Sequence, residues 1–172
     1  MLLIKNIAQV LTLRGGPVPR VGAAMSDLGI IENGAVLIHG DRIVWVGNTK
    51  DIPVRDPGTR YQTLDGIGLD LIAMPGFVDS HTHPVFSIGN AGDYDRRIRG
   101  ENSGDSGAAE AGFAAIVEHL RAATVNQLLE KIEARFRQFL SHGTTTIEAK
   151  SGYGADWQEE IRNLQMLSAL RS

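Results

Sequence analysis

Leu69-Asp70-Leu71-Ile72-Ala73-Met74-Pro75-Gly76-Phe77-Val78-Asp79-Ser80-His81-Thr82-His83 is the stretch on which the fold turns. Its apolar run is too short for a helix and reads as a strand buried on both faces, as in a parallel sheet. Side chains alternate along a strand, so residues two apart share a face. His81 and His83 therefore point the same way, with Asp79 on the same phase one step deeper. The chain has no cysteine, so a metal here must take nitrogen or oxygen ligands. Two neutral imidazoles suit zinc, iron or another borderline metal ion. Such an ion brings the pKa of a bound water to about 7 and polarises a carbonyl. A His-x-His pair alone can arise by accident, but the buried run and Pro75-Gly76 in front of it favour the metal reading.

Downstream, residues 84–112 are rich in glycine and charge and read as a long loop, a feature that is usually functional or disordered. Residues 113–122 have helical spacing. Thr124 with Gln127 three residues later resembles a capping box. The helix it starts, Val125 to Ser141, puts Leu128, Leu129, Ile132, Phe136, Phe139 and Leu140 on one stripe and ends at Gly143. Thr144 to Ala149 is a β-branched strand. Asp156 can cap a last helix, Trp157 to Leu170, with Ile161, Leu164, Leu167 and Leu170 at helical spacing.

Upstream the pattern is different. Residues 2–13 read as a strand and 14–29 as an exposed loop. Ala35 to Ile38 and Arg42 to Val46 form a hairpin about a Gly40-Asp41 turn, a second turn falls at Gly47-Asn48, and Tyr61 to Leu64 is a further short strand. The expected organisation is an all-β module over 1–70, then strand, loop, helix, strand, loop, helix over 71–172. That order implies parallel βα units. Two such units cannot close a sheet, whereas eight make a barrel of roughly 250 residues. The expectation is therefore an α/β chain that is one part of a longer protein.

The 172 residues are 42% hydrophobic and 22% charged, the balance of a globular protein. A net charge of -3 does not suggest a nucleic-acid partner. Lys5 and Asn6 interrupt the apolar start, which lacks the order of a signal peptide. No apolar run reaches the roughly 18 residues of a membrane span. The expected setting is cytoplasmic, without a membrane partner.

Pro75-Gly76-Phe77-Val78-Asp79-Ser80-His81-Thr82-His83 resembles the first-strand signature of the amidohydrolase superfamily. The resemblance implies a small β-sandwich domain (1–70 its first part) followed by a metal-dependent (β/α)8 TIM barrel, incomplete in this chain, with 71–172 as its first two βα units. It implies His81 and His83 as ligands of one divalent or trivalent metal ion, zinc or iron. A narrower likeness runs from residue 75 to about 170. His83-Pro84-Val85-Phe86, Arg99-Gly100, Arg121 and Thr144-Thr145-Thr146-Ile147-Glu148-Ala149-Lys150-Ser151-Gly152-Tyr153-Gly154 resemble the imidazolonepropionase family.

That likeness implies hydrolysis of a cyclic amide C–N bond, 4-imidazolone-5-propanoate giving N-formimidoyl-glutamate in histidine degradation, by a protein that can be a homodimer. It implies Tyr153 as a substrate contact. Asn90 falls where the family carries an arginine for the substrate carboxylate, and an amide cannot offer that charged fork. Arg96, Arg97 and Arg99 read as solvated surface. Glu110-Ala111-Gly112 replaces a triple glycine in the same loop. The remaining ligands and the acid–base pair are expected beyond residue 172, so this stretch alone is expected to be inactive. Another amidohydrolase activity (a deaminase or a different lactam hydrolase) and a non-catalytic metal-binding fragment stay open. Lys150 reads as a salt-bridge residue with Glu148 or Glu159, His39, His119 and His142 as non-ligands, and Trp45 and Trp157 as packing residues.

Overall fold

A computed structural model describes residues 1–16, 18–53, 60–89, 91–101 and 106–170; the side chains of 93, 97 and 106–111 lie outside this description. The chain divides into two compact units, Met1–Pro75 and Gly76–Ser172.

The first unit is one mixed sheet. Strand β1 (Leu2–Leu11) pairs antiparallel with β2 (Ile30–His39), which pairs antiparallel with β3 (Arg42–Asn48). On its other side β1 runs parallel to β4 (Gln62–Asp65) and β5 (Ile72–Ala73). The hairpin turn at Gly40-Asp41 falls where the sequence places it, with Gly40 at φ +60°. Alternation along the strands puts apolar residues on both faces. Leu3, Ala35 and Leu37 form one cluster, and Ile7, Val10 and Val36 form the other. Trp45 packs in the first of these.

Two expectations change here. Gly47 and Asn48 lie inside β3, and the chain turns after them through Thr49–Asp51, started by the Asn48 side chain accepting from the Lys50 amide. The run from Leu69 to His83 is two strands, because Ile72–Ala73 pair with β1. This moves the division from residue 70 to Pro75.

The second unit is built on β6 (Phe77–Thr82) and β7 (Thr144–Ala149), paired in parallel. Parallel neighbours need a crossover, supplied by α1 (Ala91–Ile98), α2 (Ser106–Ala122) and α3 (Val125–Ser141); α4 (Trp157–Ala169) follows β7. The α3 start is as expected: Gln127 N donates to Thr124 Oγ1, and Thr124 N donates back to Gln127 Oε1 at 2.9 Å. Gly143, at φ +86°, ends the helix, and its carbonyl receives the Phe77 amide at 2.8 Å, which starts β6. Gly76 lets the chain pass close to β7, since a Cβ there would lie 2.1 Å from Thr145 Oγ1. The core is Val85, Leu120, Leu128, Ile132 and Met166.

Four readings are corrected in this unit. The expected long loop contains α1 and the first turns of α2. Its glycines each cost a helix only about 1 kcal/mol, and the alanines of α2 offset them. Strand β6 is not buried on both faces: Phe77 is 54% and Val78 69% exposed, because the described sheet has two strands and α3 packs on β7. The buried positions of α4 are Asn163 and Met166; of the expected stripe, Leu167 and Leu170 pack on the core, while Leu164 is exposed. Trp157 is 78% exposed rather than packed.

Candidate metal and substrate site

His81 and His83 stand at the carboxyl end of β6, where the pairing with β7 shifts register between Asp79 and Thr82. An extra residue on one strand is a β-bulge, a device that re-aims side chains. The Asp79 carboxylate accepts from the His81 amide at 3.0 Å and so belongs to the bulge. The two imidazole centroids are 5.0 Å apart, edge to face at 76°. His81 is exposed and His83 half-buried.

His83 is fixed from behind. Its Nδ1 lies 2.7 Å from the Ser151 carbonyl oxygen. A carbonyl only accepts, so Nδ1 carries the proton and Nε2 presents its lone pair. This is the arrangement that fixes tautomer and ring orientation behind a metal-binding histidine. Two imidazoles bound through nitrogen at about 2.0–2.1 Å to one tetrahedral ion hold their centroids roughly 5 Å apart, which matches the observed spacing. These residues therefore fit two positions of a metal site. Among the described residues no third His, Cys, Asp or Glu completes a group that could hold a metal.

Tyr153 comes to the same place from the loop between β7 and α4. Its ring meets His83 at 5.8 Å, Phe86 at 6.3 Å and Phe113 at 6.1 Å between centroids. The loop backbone is unusual: Tyr153 has φ +68° and Ala155 φ +63°. Left-handed conformations in non-glycine residues cost of order 1–3 kcal/mol and persist only where surroundings enforce them. Here Arg121 donates to the Gly154 carbonyl at 2.9 Å and pairs with Asp156 at 2.5 Å, while Asp156 caps α4 by accepting from the Glu159 amide. Gly152 is required by close approach: a Cβ there would lie 2.5 Å from His83 Nδ1.

Phe86 is held in turn by Arg135, whose guanidinium lies 3.4 Å over the ring and donates to the Pro84 carbonyl at 2.8 Å. Burial pushes the Arg135 pKa below its ordinary value. A cleft of about 510 Å³ beside it is lined by His83, Phe86, Arg135 and His142, among others, but by neither His81 nor Tyr153. It lies to one side of the histidine pair.

The other sequence candidates fall as follows. Asn90 lies outside the described residues, as do the side chains of Glu110 and Arg97. Arg99 makes an exposed pair with Asp95. Lys150 pairs with Glu148 at 3.3 Å. His119 and His142 turn Nδ1 to the carbonyls of Ala115 and Gln138 on their own helices. Sequence reasoning missed Ser151, Gly152, Glu160 and Asn163. A backbone carbonyl leaves no compositional trace, but the close glycines of Ser151-Gly152-Tyr153-Gly154 were a signal of tight backbone approach.

No protein-family model matches the chain. It is similar to the imidazolonepropionase of Shouchella clausii (strain KSM-K16), 33% identical over 175 residues, covering 100% of this chain and 39% of that protein. It is likewise similar to that of Solibacter usitatus (strain Ellin6076), 39% identical over 167 residues, covering 97% of this chain and 39% of the relative. The chain thus spans about two fifths of the length of the curated relatives it matches. Among solved structures, a triazine hydrolase variant aligns with TM-score 0.58 at 20% identity, covering 97% of this chain and 33% of that one. A variant of atrazine chlorohydrolase from Arthrobacter aurescens, complexed with zinc and atraton, aligns with TM-score 0.53 at 21% identity over 99% of this chain and 34% of its own. These structural likenesses speak to the mixed α/β fold. Along its whole length the chain is thus similar in sequence to one part of these imidazolonepropionases, and it shares the mixed α/β fold of the solved hydrolases.

Proposed function

We propose that the protein is a metal-dependent hydrolase that opens the C–N bond of a cyclic amide, with 4-imidazolone-5-propanoate as substrate and N-formimidoyl-glutamate as product. The observation that carries the reading is the His81–His83 pair with His83 held as its Nδ1–H tautomer by Ser151, beside Tyr153. The names of the similar proteins support the substrate, and the zinc in the atrazine chlorohydrolase complex supports zinc, with iron as the other candidate. The proposal takes β6 and β7 as the first strands of a (β/α)8 barrel and the sheet of the first unit as part of a β-sandwich. It places the remaining ligands and the acid–base groups in a part of such a protein that this chain does not span.

When bound, the metal supplies Lewis acidity that polarises the amide carbonyl and acidifies water. His81 and His83 would hold it through ring-nitrogen lone pairs, His83 through Nε2 because its Nδ1 donates to the Ser151 carbonyl. Tyr153 presents a flat ring edge and a phenol hydroxyl, which can orient a planar ring by packing and one hydrogen bond. Its left-handed backbone is set before substrate arrives, so little ordering is left to the binding step.

A second reading, hydrolysis of a neutral lactam, is favoured by Asn90, because the substrate carboxylate of the first reading lacks its arginine there. The proposal further places the protein in the cytoplasm, as a homodimer acting on a small molecule without nucleic-acid or membrane partners. No described helix is long and apolar enough to cross a membrane.

The test is turnover by the whole protein that carries this chain, assayed with imidazolonepropanoate and with a neutral lactam. Ring opening of the first substrate, abolished by a chelator and restored by zinc or iron, is expected. Turnover of the neutral lactam alone would transfer the assignment to the second reading. No turnover of either by the metal-loaded protein would overturn both.

A further inference from the structure

Helix α4 spends its most buried position on an amide. Asn163 is fully buried in the core between Met166 and the loop before α4, where an apolar residue would pack without a desolvation cost. Its Nδ2 donates to the Gly152 carbonyl at 3.3 Å. One helical turn earlier, Glu160 Oε1 accepts from the Gly154 amide at 2.8 Å. The two side chains thus grip the backbone on either side of Tyr153, the residue at φ +68°. The grip is incomplete as a packing device: Asn163 Oδ1 and Glu160 Oε2 are buried without a hydrogen-bond partner among the described residues. Buried acceptors left unpaired lower stability, so this pair is poorly explained by a contribution to folding. Its contacts lead to the site. Ser151, immediately before the gripped segment, carries the carbonyl that orients His83.

We propose that Asn163 and Glu160 are positioning residues that latch the loop in its left-handed form, so that α4 sets the Tyr153 ring and the His83 tautomer together. The latch rests on the reading of His83 as a metal ligand and Tyr153 as a substrate contact. It predicts a separation of stability from site geometry, because the groups that hold the loop are groups the core would do better without.

Asn163→Leu, close in size, tests it in the full chain. Three quantities are read: the melting temperature, the His83 ring nitrogens by 15N NMR, and zinc affinity by competition with a chromophoric chelator. The melting temperature is expected to hold, because removing the unpaired Asn163 Oδ1 offsets the loss of the donor to the Gly152 carbonyl. The single Nδ1–H form of His83 is expected to give way to mixed tautomers, and zinc affinity to fall about 10-fold or more, the scale of losing an outer-shell partner. Glu160→Leu should repeat these changes. Glu160→Gln, which keeps an acceptor for the Gly154 amide, should restore the wild-type tautomer. It decides the matter if Asn163→Leu does not fold.

An unchanged tautomer and zinc affinity in Asn163→Leu and Glu160→Leu would overturn the latch. So would loss of both only in step with a falling melting temperature. Failure of the hydrolase reading would look different: the tautomer would still respond, while no cyclic amide was turned over by the wild-type protein. If both hold, Asn163→Leu raises KM for the cyclic amide more than it lowers kcat, with the conservative Glu160→Gln near wild type.

Discussion

His83→Ala should lower zinc or iron affinity by more than the roughly 10- to 100-fold that removal of an outer-shell partner costs, since it removes a ligand outright. It should also act on the metal-free protein. His83 is half-buried and donates to the Ser151 carbonyl at 2.7 Å. Its loss leaves that acceptor unpaired and opens space beside Tyr153, a penalty of about 1–3 kcal/mol. His81→Ala is the informative contrast. His81 is exposed, and it meets Asp79 through its backbone amide, which alanine keeps. Its metal loss should be as severe, but the metal-free melting curve should move little, within about 0.5 kcal/mol. Metal titration and thermal melting on both variants read the two effects separately. Equal destabilisation of the metal-free forms would contradict the asymmetry.

Gly152→Ala should be the most damaging change outside the histidines. The new methyl would sit 2.5 Å from His83 Nδ1 and 3.0 Å from Cε1. Backbone at φ +155° leaves no relaxed alternative for an L side chain. Either the imidazole swings off the Ser151 carbonyl or the loop moves and carries Tyr153 with it. Overpacking of this kind costs about 1–3 kcal/mol, and the lost orientation should weaken metal binding by about 10- to 100-fold. Melting temperature and metal affinity together are the check. A variant with normal affinity would mean that His83 does not need the contact.

The histidine pair, α3 with its Thr124–Gln127 box, β7 and the hairpin at Gly40-Asp41 were legible from the sequence. Each rests on local rules: alternation, a cap at fixed spacing, a run of β-branched residues. The elements misread depend on what lies across space. Alanines in α2 outweigh glycines that suggested a loop. The split between β5 and β6 is made by β1, a partner more than sixty positions away for the pairs Gln9–Ile72 and Val10–Ala73. Asn163 takes the buried face of α4 because the loop carbonyl it meets is polar, which helical spacing of leucines could not reveal. At the site, the family likeness led to His81, His83 and Tyr153, and the structure brings these three together. What holds them, the Ser151 carbonyl and the amide and carboxylate of α4, is backbone and long-range contact.

The central claim is that His81 and His83 bind one metal through their free ring nitrogens. X-ray absorption at the zinc or iron edge of the metal-loaded protein tests this most directly. Imidazole nitrogens at about 2.0–2.1 Å are expected in the wild type, with one fewer in any metal that His81→Ala or His83→Ala retains. An unchanged imidazole shell in both variants would contradict it.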